Sequence, residues 1–127
     1  MRHLIILAVL GLTACVDEPV DGRTAYLENC ASCHGSSATG DGPAARDLAV
    51  APPDLTTIAA RNGGVFPTNQ VMSTIDGLDR GAHFSVAMPE FGAGDLGETV
   101  IVENDGLGTP VPMKLLVLTE YLESIQQ

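Results

Sequence analysis

Residues 28–43 read ENCASCHGSSATGDGP, and the fold turns on how the two cysteines in this stretch are used. Cys30 and Cys33 lie three apart and His34 follows at once. Such a pair can hold zinc, cycle as a dithiol, or form C-x-x-C-H, the attachment signature for a c-type haem. Structural zinc wants four Cys or His ligands. Downstream of Cys15 the chain offers only Cys30, Cys33, His34 and His83, and His34 is too close to Cys33 for an easy tetrahedron. A thioredoxin-like dithiol wants a strand before the motif and strand–helix alternation after it, and neither pattern is visible. Haem attachment suits the spacing. On a helical turn, residues three apart share a face. Both thiols can then bond one edge of a porphyrin while His34 is delivered beneath the iron. The motif is short, so its weight depends on the rest of the chain.

Upstream, MRHLIILAVLGLTACVDEPVDG has a positive start at Arg2 and an apolar run from Leu4 to Leu12. That is the anatomy of an export signal, and it is too short to span a bilayer as a helix. The segment LTAC resembles a bacterial lipobox, which makes residues 1–14 a lipoprotein signal peptide and Cys15 the lipid-bearing first residue. Residues 15–21 then form an acidic tether reaching at most about 25 Å, and residues 22–127 the domain. Acyl chains anchor at about 0.8 kcal/mol per buried CH₂, so several hold firmly. Cleavage before Cys15 leaves 113 residues and moves the formal charge from −10 to −11, because Arg2 departs and no acid does.

The 127 residues allow one small domain. Acids outnumber bases 16 to 6, which argues against nucleic acid as a partner. There is no Trp among only five aromatics, so a core built from side chains alone would be thin.

With the motif placed, the whole mature chain resembles the class I c-type cytochromes, small monohaem electron carriers. DGRTAYLENCASCHG looks like that family's N-terminal helix running into the haem site, with Gly22 where the C-terminal helix passes close. GDGPAARDLAVAPPDLT resembles the loop after the motif, in which a proline carbonyl accepts the hydrogen bond of the proximal His ring; Pro52 or Pro53 would do this here. HFSVAMPEFG looks like the segment of the second axial ligand, which makes Met88 the distal iron ligand about 55 residues past the motif. His83 is its rival. Met72 and Met113 sit in helical surroundings and read as packing. PMKLLVLTEYLESIQQ carries Leu115, Leu118, Leu122 and Ile125 at helical spacing, with Tyr121 where the family places an aromatic against the N-terminal helix.

The resemblance implies an all-α class I cytochrome c fold, about four short helices around one covalent haem c. Two intermediate helices are expected. One spans about Leu55 to Arg61, capped by Asp54 and stopped at Gly63-Gly64; the other spans about Thr68 to Ile75 and ends at Gly77. The chain departs from the family between Met88 and the last helix, over residues 92–112. There TVIV, the turn signal NDGL and the prolines at 110 and 112 predict a small β-hairpin.

The function implied is electron transfer and not catalysis: a membrane-anchored carrier on the periplasmic face of a bacterial membrane, passing single electrons between redox partners. Alternatives are a fixed haem subunit of a larger oxidoreductase and a haem sensor or enzyme with a labile distal Met. The acidity suits protein partners with basic docking patches, and a monomer is expected. Arg46, Arg61 or Arg80 could offset the haem propionates. Val16 after the lipid-bearing Cys points to the outer membrane.

Overall fold

The computed structural model describes residues 20–80, 87–104 and 106–127. Cys15, His83 and the signal segment lie outside them.

The fold is mostly helical. Helix α1 (Gly22–Asn29) begins at Asp21, whose carboxylate accepts the Thr24 amide at 2.8 Å. This is an ordinary N-cap, and it joins the last residue of the expected tether to the domain. Helix α2 (Ala31–His34) follows after a hinge at Cys30 (φ −120°). A 3₁₀ turn over Pro43–Asp47 was not anticipated. The first of the two expected intermediate helices is split: a 3₁₀ turn, Leu55–Thr57, leads into α3 (Ile58–Arg61). Asp54 caps it as expected, accepting from the amide and hydroxyl of Thr56, which holds its carboxyl below the usual carboxylate range. Helix α4 (Thr68–Asp76) closes at Gly77.

The insertion is the predicted hairpin. β1 (Thr99–Asn104) pairs antiparallel with β2 (Leu107–Pro112), placing Val100 opposite Val111 and Ile101 opposite Pro110. Sides alternate along the strands, as a pleat requires. Val100 and Val102 are half-buried and Val111 buried, while Ile101 faces solvent. Among the described residues the sheet has two strands, so both prolines lie on a sheet edge. Helix α5 (Met113–Ser124) starts immediately after Pro112.

Helix α5 is the spine of the core. Its Leu115, Leu118 and Leu122 are buried together with Tyr26 of α1, Met72 and Ile75 of α4, Val111 and Ala38. Ile125 is only half-buried against this cluster. The crossing of α1 and α5 depends on one missing methyl: a Cβ on Gly22 would stand 2.0 Å from the Val117 carbonyl oxygen. One turn on, the rings of Tyr26 and Tyr121 pack with centroids 5.4 Å apart. The chain end is sewn down by Gln126. Its Oε1 accepts from the Ala59 amide (2.9 Å), and its Nε2 donates to the carbonyls of Leu55 (2.8 Å) and Leu122 (2.7 Å).

Candidate functional site

The cysteine motif is shaped by backbone bonds made within a few residues of it. The Cys30 amide donates to the Tyr26 carbonyl, carrying α1 up to the motif, and the His34 amide donates to the Cys30 carbonyl, both at 2.9 Å. The following loop then folds back. Gly40 donates to the His34 carbonyl (2.8 Å) and Gly42 to the Cys33 carbonyl (3.1 Å). Gly42 sits so close that a Cβ there would stand 2.6 Å from the Cys33 carbonyl oxygen. Tyr26 locks the motif to the helix pair. Its phenol, fully buried, donates to the carbonyl of Gly35 at 2.6 Å, and burial pushes its pKa well above the ordinary tyrosine value.

Cys30 and Cys33 are unpaired and half-buried, and Cys33 lies close enough to act on the Cys30 thiol. Burial, then the neighbouring Cys33, pushes the Cys30 thiol up to about 11. A reactive dithiol needs a depressed thiol pKa, so this environment favours a neutral sulfur. Among the described residues, no three His, Cys, Asp or Glu side chains gather as a metal cluster.

His34 is buried enough that its pKa falls below the usual histidine value, with the Pro53 carbonyl pulling the other way. Its Nδ1 is shut off from solvent yet completes no hydrogen bond of good geometry. Pro53 is therefore a close polar neighbour of the ring and not a formed bond. The two prolines left open by the sequence have separate positions, for the Pro52 carbonyl lies against Gly40, where a Cβ would meet it at 2.3 Å.

Met88 is half-buried and packs on the same apolar cluster as Cys30 and Ala31. Its carbonyl accepts a hydrogen bond from Arg80 Nη1 (2.9 Å), and the Pro89 carbonyl accepts one from Nη2 (2.7 Å). Met72 is buried core and Met113 half-buried, as packing residues should be. Arg61 turns back on its own helix, donating to the Asp54 carbonyl (2.9 Å) and to the Thr57 hydroxyl. A cleft of about 320 Å³ lies elsewhere, between α4, β2 and α5; its lining includes Met72, Leu78, Leu107 and Leu115, but none of Cys30, Cys33, His34 or Met88.

The cytochrome c family model matches residues 19–95, a span that begins before α1 and ends beyond Met88. The chain belongs to the cytochrome c family. No curated protein and no solved structure matches it. The cytochrome is thereby an electron-transfer haem protein with covalently bound haem c, and the site accords with that group. Two free thiols share a helical turn, their surroundings suit the uncharged sulfur of a thioether, and the adjacent imidazole carries a buried nitrogen still wanting its partner.

The sequence did not point to the Arg80 clamp on the methionine loop or to the Tyr26–Gly35 bond. Both end on main-chain carbonyls, which every residue possesses, so no pattern of side chains announces them.

Proposed function

We propose that this cytochrome is an exported, lipid-anchored class I carrier that passes single electrons through one haem c ligated by His34 and Met88. The observation that carries the reading is the position of Met88, loop-borne beside Pro89 and packed on the core cluster that also receives Cys30. Cys30 and Cys33 would hold the haem by thioether bonds. His34 would offer one ring nitrogen to the iron, with the Pro53 carbonyl, in preference to that of Pro52, fixing the ring through Nδ1. When bound, the haem supplies a one-electron Fe(III)/Fe(II) couple. A thioether donates less well to ferric iron than imidazole does, so Met88 raises the potential. With His34 and Met88 both given to the iron, the protein would leave it no open position for a substrate.

The anchor rests on Cys15 and the segment before it. None of the helices among the described residues is long and apolar enough to cross a membrane. Val16 favours the outer membrane, and the excess of acids over bases favours partners with basic patches and association rates that fall with salt. A second reading, a fixed haem subunit of a larger oxidoreductase, draws on Leu78 and Leu107, both exposed and both lining the cleft beside the hairpin. Migration as a monomer after detergent extraction decides for the free carrier.

Ligation is tested by Met88→Ala in the ferric holoprotein. The methionine-to-iron charge-transfer band should vanish, and the ferrous form should begin to bind carbon monoxide. Carbon monoxide binding by the unaltered protein would favour a sensor or enzyme instead.

A further inference from the structure

We infer that Arg80 is a positioning residue for the distal ligand, a clamp that holds the Met88 main chain so that its sulfur stays on the iron. The inference rests on the His34/Met88 reading. Arg80 leaves a fixed platform at the end of α4. The amides of Leu78 and Asp79 both donate to the Ser73 carbonyl (2.9 and 3.2 Å), and the Thr74 hydroxyl donates to the Asp79 carbonyl (3.1 Å). From there the guanidinium reaches eight and nine residues ahead, giving one N–H to Met88 and one to Pro89. Two successive carbonyls facing one planar fork is a geometry that arginine meets and lysine does not. Hydrogen bonds from a charged donor are about twice as strong as neutral ones; the bond to Met88 is partly sheltered from water, and the bond to Pro89 is exposed.

The same platform braces the far side of the ligand. A Cβ on Gly92 would stand 2.0 Å from Asp76 Oδ1 and 2.6 Å from the Asp76 carbonyl oxygen, so the chain just beyond Pro89 lies directly on the end of α4. Gly77 meets the Glu90 side chain at 3.0 Å from its own would-be Cβ. Met88 is thus tied to α4 through Arg80 and through the 90–92 segment. Releasing the first tie leaves a sulfur on a shorter support, free to leave the iron more often. Arg80 therefore serves the methionine loop, a different task from neutralising a propionate.

Exogenous imidazole, titrated into the ferric holoprotein, reports how readily Met88 yields its place. In Arg80→Gln the imidazole should bind at least about tenfold more tightly, a factor worth about 1.4 kcal/mol. Arg80→Lys, which keeps the charge but loses the planar fork, should fall between the two, and it carries the test if the Gln variant does not load haem. Arg61→Gln, whose guanidinium serves its own turn, should leave the affinity unchanged. In a Met88→Ala background the sixth position is already open, so Arg80→Gln should then change nothing. An affinity within twofold of the parent while the methionine band persists overturns the clamp alone. So does an equal shift in the Met88→Ala background, which would mark a general loosening. Absence of the methionine band from the unaltered ferric protein overturns the ligation reading and the clamp with it.

Discussion

The two sides of the proposed iron site are built by different means. Around His34, the chain is closed by main-chain hydrogen bonds: Cys30 to Tyr26, His34 to Cys30, Gly40 to His34 and Gly42 to Cys33. Around Met88, the support comes from a guanidinium eight residues away and from the segment laid on the end of α4. The first side is held mainly by main-chain bonds, the second also by a charged side chain that has to find its place. The comparison teaches that a ligand's lability can be read from what holds its backbone, before the metal is considered. On this account the histidine side sets whether the domain folds with its haem, and the methionine side sets how firmly the sixth position is closed.

The most severe way to break the comparison is to remove the covalent link on the histidine side. Cys30→Ser with Cys33→Ser should abolish haem attachment and leave the chain largely unfolded, since the five aromatics and the small buried cluster make a thin core. Native-like near-UV circular dichroism from that variant would contradict the claim.

Next comes the helix crossing beneath the motif. Gly22→Ala gains at most about 1 kcal/mol of helix propensity, against about 1–3 kcal/mol for forcing a methyl into a filled space. The 2.0 Å approach to the Val117 carbonyl puts this site at the costly end. The melting temperature of the holoprotein should fall, and a rise would show that α1 and α5 do not cross so closely.

Tyr26→Phe probes a single bond of the histidine side. It leaves the buried Gly35 carbonyl without its donor, a loss of about 1–3 kcal/mol. Denaturant unfolding measures it, and the methionine band should persist in the folded protein. Loss of that band would mean the two sides are less separate than their hydrogen bonds suggest.

The smallest effect belongs to the outer face of the hairpin. Ile101 is 66% exposed, so Ile101→Thr should change stability by no more than about 0.5 kcal/mol. A larger loss would assign the hairpin a structural part that its exposure does not indicate.

Much of this was legible in the residues, for definite reasons. Cys30, Cys33 and His34 could be placed on one turn because their spacing alone determines the geometry. The hairpin followed from the β-branched TVIV, the turn signal NDGL and the prolines of the return strand, the Asp54 cap from its place before Leu55, and the α1–α5 contact from the resemblance, which puts Gly22 and Tyr121 where the two helices pass close. What stayed hidden depended on distance or on the main chain. Gln126 bonds to Leu55 and Ala59 across 71 and 67 residues. The different settings of Pro52 and Pro53 turn on where carbonyls point, and both residues offer the same one. The splitting of the expected Leu55–Arg61 helix into a 3₁₀ turn and a short α-helix reflects local hydrogen-bond choice that propensity does not resolve.

The most direct test of the central claim is a redox-monitored optical spectrum of the purified, unaltered protein. The account predicts one covalent haem c per chain, six-coordinate and low-spin in both states. It also predicts a methionine-to-iron band in the ferric form and a single reversible one-electron transition. A high-spin ferric spectrum without that band, or a preparation whose pigment is extracted by acid acetone, would contradict it.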